Sequence, residues 1–308
     1  MMRRKISLLL MLLCSFVFFS VIKAEGITYY NLPGGSEEHM ALSDGVLYIK
    51  TPGSYKDSQR FYHLYAYDST AQGGFRLVGK NCLTEEETPL VIRDAIYAIT
   101  RGERTMHRLH GEEGVNLPGD ILLIPDDIFP EGMYANKWDQ PSHFLLSVSQ
   151  GSTLVYLITE GMGDIRTFCY LDGDAGVVKA HTKVQGLFGF ALLDCHTALY
   201  YERRLGEQAW VFDIYRMDLR TGEKTGVGTL PDGVWGIAYD DVLDGMLYIK
   251  DGALYRYTWD GKHTLLKEGL PREPVDQRGF VFEDRTYAAY LIGLHGQPSR
   301  LMVINLPE

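Results

Sequence analysis

The chain has 308 residues, with 40 Asp and Glu against 30 Lys and Arg and a formal charge of −10. An acidic balance of this size argues against nucleic acid or anionic lipid as a partner, because both reward basic surfaces. The length would hold two average domains, but a chain of repeated strands of this size commonly forms one.

The first 24 residues follow the pattern of an export signal. Arg3, Arg4 and Lys5 form a basic start, and Ala24 is a small residue suited to cleavage. Between them Ile6 to Ile22 is an apolar run of about 17 residues, short of the ~20 that span a membrane comfortably. Bulky Leu13 stands before Cys14, where lipid attachment needs a small residue. Cleavage would remove four basic residues and no acid, taking the formal charge from −10 to −14. The expected organisation is a signal peptide over 1–24 and a single domain over 25–308. The expected destination is secreted or otherwise extracytoplasmic, in a periplasm or at a cell surface. Cys82, Cys169 and Cys195 remain, an odd and sparse set that makes neither a disulfide scaffold nor a zinc spacing. A Cys169–Cys195 bridge between adjacent repeats is left open.

After an isolated strand-like run, Ile27-Thr28-Tyr29-Tyr30, the chain repeats itself. Six times an aliphatic or small residue and a tyrosine are followed within a few residues by glycine: Leu47-Tyr48, Ile96-Tyr97, Val155-Tyr156, Leu199-Tyr200, Leu247-Tyr248 and Ala289-Tyr290. Each pair is preceded by an apolar run, such as Met40–Leu42 or Ile237–Tyr239. Each is followed by a second run that usually ends in Asp or Asn, such as Leu64–Asp68 or Ile214–Asp218. Repeats of about 40–50 residues made only of strands predict an all-β, six-bladed β-propeller of four-stranded antiparallel blades. We label the strands of each repeat a to d from the centre outward, with the tyrosine pair in b. The last repeat lacks its outer strand, and the run from Ile27 is free to supply it beside Leu301–Asn305, removing two open edges.

The turns joining a to b and c to d are short and share one face. The long connections, Thr51–Arg60, Asn81–Pro89, Leu117–Pro141, Arg203–Gln208 and Gly293–Ser299, fall on the other, which is where binding residues are expected. Tyr55, Tyr134, Trp138 and Trp235 lie in or beside these connections and offer flat stacking surfaces. His39, His143, Trp235 and Arg278, at the starts of strands a, would look into the mouth of the central channel at that end. These seven residues form the predicted ligand site.

No G-x-S-x-G elbow and no H-E-x-x-H occurs in the sequence, and the nine histidines are scattered. Asp172-Gly173-Asp174 lacks the distal ligands of a calcium loop and reads as a turn. No catalytic residue, metal site or cofactor is assigned.

The Leu-Tyr-Ile-Lys copies at Leu47 and Leu247, with Leu254-Tyr255-Arg256-Tyr257 leading to Asp260-Gly261, resemble the six-bladed propellers of the TolB-like and YWTD-like type over about Ile27 to Pro307. The Trp-Thr-Asp that follows tyrosine in YWTD repeats is replaced here by Ile-Lys-Thr and similar, so the resemblance implies an architecture and no functional residue. It implies an extracytoplasmic recognition or scaffold module. The expected function is therefore a monomeric, non-enzymatic module that binds a protein, peptide or glycan on the long-loop face. The alternative is a carbohydrate-active hydrolase or lyase at the channel mouth, whose carboxyl pair would stand about 5–9 Å apart.

Overall fold

The computed structural model describes residues 26–35, 39–93, 95–100, 103–110, 119–123, 144–159, 165–185, 187–206, 210–270, 275–282, 284–293 and 297–306. The predicted signal segment, Tyr134, Trp138, His143 and most of the Leu117–Pro141 connection lie outside them. Among the described residues there are 24 strands and a single 3-10 turn, and no helix is long and apolar enough to cross a membrane.

Strand β1 (Ile27–Asn31) comes first. Unit 1 is β2 (His39–Ser43), β3 (Val46–Lys56), β4 (Gln59–Tyr67) and β5 (Phe75–Thr84). Unit 2 is β6 (Glu87–Ile92), β7 (Ala95–Thr100), β8 (Thr105–His110) and β9 (Asp120–Leu122). Unit 3 is β10 (Phe144–Gln150), β11 (Thr153–Thr159), β12 (Ile165–Asp172) and β13 (Val177–Gln185). Unit 4 is β14 (Leu187–Asp194), β15 (Thr197–Leu205), β16 (Trp210–Asp218) and β17 (Lys224–Leu230). Unit 5 is β18 (Trp235–Asp240), β19 (Gly245–Lys250), β20 (Ala253–Thr258) and β21 (His263–Lys267). Unit 6 is β22 (Val275–Val281), β23 (Thr286–Leu291) and β24 (Arg300–Asn305), with β1 as its outer strand. Within each unit, successive strands pair antiparallel. The pairing of β1 with β24 runs from Ile27 opposite Ile304 to Asn31 opposite Arg300, as the strand-like N-terminus leads one to expect.

Both faces of each unit are apolar, so the core is divided into clusters between units. Val91 and Ile96 meet Ala41 and Tyr48 between units 1 and 2, and Leu154 and Tyr156 meet Leu90 and Tyr97 between units 2 and 3. Further clusters join units 3 and 4, 4 and 5, and 5 and 6. Another joins unit 6 to unit 1, with Phe280 and Tyr290 against Met40 and Leu47.

All six repeat tyrosines are buried in these clusters and are framework residues. They do not share one register. Tyr48 and Tyr97 are third in their strands and Tyr290 is fifth, and each packs toward the following unit. Tyr156, Tyr200 and Tyr248 are fourth, and each packs toward the preceding unit. Side chains alternate along a strand, so a one-residue shift after the turn sends the same motif to the opposite face.

The acid that closes each second run caps a turn. Asp68 Oδ1 accepts from the Thr70 N–H at 2.9 Å, Asp172 Oδ1 from Ala175 at 3.1 Å and Asp218 Oδ1 from Arg220 at 2.8 Å. These bonds lower the pKa of Asp68, led by the Thr70 hydroxyl, and of Asp218, led by the Arg220 guanidinium. Asx turns of this kind explain why Asp recurs at the c–d hairpins.

One expectation is corrected and one open point is resolved. Most of the supposed long loops are strand. β3 and β4 run on to a two-residue turn, Asp57-Ser58, with φ of 52° and 65°, the left-handed pair of a tight hairpin. β5 and β6 leave only Glu85-Glu86 between them, and β15 extends to Leu205. Polar residues in these stretches hide strand character because the outer ends of the hairpins are solvated. The Cys169–Cys195 bridge is not formed: Cys169 is buried in the cluster between units 2 and 3, whereas Cys195 is exposed in the β14–β15 turn of unit 4.

Burial pushes the phenols of Tyr200, Tyr239 and Tyr248 up to about 12. An unfolded chain ionises its tyrosines near 10. Between those values the unfolded state sheds protons first, so stability declines as pH rises from about 10 and the whole contribution is lost above about 12. Denaturant titrations should show stability unaffected by these phenols up to about pH 10 and falling beyond it. Phenolate absorbance should show a delayed class of tyrosines that merges with the rest on unfolding.

Candidate functional site

The inner strands are not evenly spaced, and the unevenness makes a cavity. β2 and β10 pair directly in parallel, Ala41 to Ser147 and Ser43 to Ser149. The pairing is fastened at its end: Ser149 Oγ donates to Ser43 Oγ at 2.6 Å, the Asp44 N–H to the Ser149 carbonyl at 3.0 Å, and the Gly151 N–H to Asp44 Oδ1 at 2.7 Å. β18 and β22 also approach in parallel, with Ile237 opposite Arg278. Between these two pairs and β14 lies a cavity of about 300 Å³. Units 1, 3, 4, 5 and 6 line it and unit 2 does not, because β6 stands behind the β2–β10 pair.

Three glycines recur near the start of the inner-strand motifs, and two of them, Gly236 and Gly279, bring β18 and β22 this close. The three are Gly189 in Phe188-Gly189-Phe190-Ala191, Gly236 in Trp235-Gly236-Ile237-Ala238 and Gly279 in Arg278-Gly279-Phe280-Val281. A Cβ at Gly189 would stand 2.2 Å from the Tyr201 hydroxyl, and one at Gly236 2.2 Å from the Tyr287 hydroxyl. One at Gly279 would stand 2.4 Å from the Gly236 carbonyl oxygen. That carbonyl accepts from the Tyr287 hydroxyl at 2.5 Å. The repeated glycine was the sequence signal for this site, and reasoning from the tyrosines passed over it.

Part of the wall is apolar and aromatic, with Phe190, Leu192, Ile237, Phe280 and Phe282 among its residues. The polar lining residues gather at the end where strands a turn into b: Asp44, Ser149, Gln150, Tyr239 and Asp241. Asp44, Gln150 and Asp241 are exposed, so the cavity meets solvent at this end. The Tyr239 hydroxyl donates to Asp244 Oδ1 at 3.1 Å, and burial, reinforced by that carboxylate, keeps the phenol neutral.

The chain matches no protein-family model and no curated protein. Among solved structures it resembles a luciferin-regenerating enzyme, with a TM-score of 0.54 at 11% identity over 91% of this chain and 95% of that one. The fold is that of a β-propeller. Looser resemblances are to an oligogalacturonate lyase in complex with manganese and to the hydrazine synthase of Kuenenia stuttgartiensis. The lyase has a TM-score of 0.46 at 11% identity, over 92% of this chain and 91% of that one. The synthase has a TM-score of 0.48 at 10% identity, over 93% of this chain and 98% of that one. At such identities the likeness extends to the fold alone.

In the propeller, His39, Tyr55 and Trp235 belong to the other end, whereas Arg278 stands opposite Ile237 of the cavity wall. His39 opens β2 opposite Lys50, and Trp235 opens β18 with 44% of its surface exposed. Arg278 lies in β22, before Gly279. Tyr55 is 73% exposed near the tip of the β3–β4 hairpin, far along the strand from the central channel. The structure thus gathers Asp44, Tyr239, Asp241 and the phenylalanines at the short-turn end, and none of these was predicted. At the opposite end Trp210 is also exposed, with the Arg203 guanidinium 4.1 Å from its ring centre, and Leu205 beside it is 71% exposed. Among the described residues no group of His, Cys, Asp and Glu is placed to hold a metal ion.

Proposed function

We propose that the chain is an exported, closed six-bladed propeller that binds a small organic molecule in the cavity at its short-turn end. The closed ring is supported by apolar clusters between every successive pair of units, the last and first included, and by the strand that β1 adds to unit 6. Export is supported by the basic start and apolar run of the first 24 residues. The binding role is carried by the cavity itself. Its volume is at the lower end of the roughly 300–1,000 Å³ usual for ligand sites, and its wall presents apolar and polar surface in nearly equal shares. The TolB-like or YWTD-like character of the repeats remains a resemblance of sequence.

A second reading keeps binding on the opposite face, where Tyr55 and Trp235 are exposed. One experiment separates the two. Ala191 lines the cavity, and Ala191→Trp would fill much of it. Compounds that raise the melting temperature of the native protein are expected to act equally on Trp235→Ala and to lose their effect on Ala191→Trp. Hits retained by Ala191→Trp and lost in Trp235→Ala would move the site to the other end. The hydrolase or lyase alternative needs a carboxyl pair about 5–9 Å apart at the channel mouth, and the likeness of fold adds no activity to it.

A further inference from the structure

We propose that the ligand is an organic cation, an ammonium group on an apolar or aromatic body. This rests on the cavity being the binding site. The ionisable side chains that line it are carboxyls and phenols: Asp44, Asp241, Tyr201 and Tyr239. Among the described side chains no Lys, Arg or His lines it. A carboxylate or phosphate ligand would face the like charges of Asp44 and Asp241, whereas a cation finds two partners there.

The hydrogen-bond inventory points the same way. The Ser149 hydroxyl spends its hydrogen on Ser43, and the Tyr239 hydroxyl spends its own on Asp244. What these groups leave facing a ligand is lone pairs, and the carboxylates accept only. Gln150 can donate or accept and discriminates neither way. The polar end of the cavity is therefore rich in acceptors and suits a group that brings several N–H donors. Phe190, Phe280 and Phe282 also line the cavity, and aromatic rings beside a ligand attract a cation and bury its apolar body. The net charge of −10 adds a long-range attraction of the same sign.

The test is calorimetry with probes matched in shape and differing in charge, such as phenethylammonium, phenethyl alcohol and 3-phenylpropanoate, at low and high salt. The ammonium is expected to bind about 10-fold tighter than the alcohol, with the carboxylate weakest and the preference reduced by salt. Asp241→Asn, at an exposed turn position, should leave the melting temperature unchanged and bring ammonium and alcohol to within about 3-fold. If the alcohol or the carboxylate binds as well as the ammonium, and Ala191→Trp abolishes all binding, the cation assignment is wrong while the cavity reading stands. If no probe binds, or binding persists in Ala191→Trp, the cavity reading itself is overturned, and this inference with it.

Discussion

Replacing Arg285 with methionine is expected to lower the unfolding free energy by about 3–5 kcal/mol. Asp240 ends β18 in unit 5 and its side chain is fully buried. Its Oδ1 accepts from Arg285 Nη1 of unit 6 and, more loosely, from the Val242 and Leu243 N–H groups at 3.2 and 3.3 Å. Its other oxygen has no partner among the described residues. Without the guanidinium the carboxylate is left buried and uncompensated, which costs far more than the pair contributes when intact. Methionine is the informative replacement because Arg285 has a φ of 62°, and both side chains bear that backbone strain alike. The double variant Asp240→Asn with Arg285→Met removes the stranded charge and keeps an acceptor for the turn. It should recover at least half of the loss in denaturant titrations. A loss below about 1 kcal/mol for Arg285→Met alone would mean that the carboxylate is hydrated in solution.

Gly279→Ala should cost about 2–3 kcal/mol and abolish binding in the cavity. The added methyl would meet the Gly236 carbonyl oxygen at 2.4 Å and its carbon at 2.8 Å. Both are backbone atoms, so no side-chain rotation relieves the overlap, and β18 and β22 must move apart. That movement also disturbs the 2.5 Å bond from the buried Tyr287 hydroxyl to the same carbonyl. Gly226→Ala is the control. Its methyl would meet only Tyr215 at ordinary contact distance, so it should be neutral or slightly stabilising. Equal effects from the two substitutions, measured by thermal and chemical unfolding, would refute the close approach of the inner strands.

Much of the fold was legible because strand periodicity is local. The apolar run at Met40–Leu42, the tyrosine pair at Leu47-Tyr48 and the acid at Asp68 mark strands a, b and c, and every copy falls in the expected strand. Their chemistry follows from position: tyrosine fills the wide gap between units, and Asp caps the hairpin after c. The site was not legible to the same reasoning. Tyr55 and Trp235 drew attention because aromatics near apparent loops suggest binding, yet β3 carries Tyr55 outward on an extended hairpin. Asp44 and Asp241 sit in short turns that resemble any others in sequence.

By itself the sequence determined an all-β chain of repeated antiparallel units, the three inner strands of each repeat, and the pairing of the N-terminal strand with the last. Those follow from local alternation, turn chemistry and the edge that an incomplete repeat leaves open. Only the tertiary structure decided which face each tyrosine serves, since one residue more or less after a turn reverses the strand's faces without altering the motif. Only it decided that β2 pairs with β10 across unit 2 and that Gly236 and Gly279 let β18 and β22 close in. Contacts between strands more than a hundred residues apart depend on the summed packing of all the units, and the cavity is what that packing leaves between them.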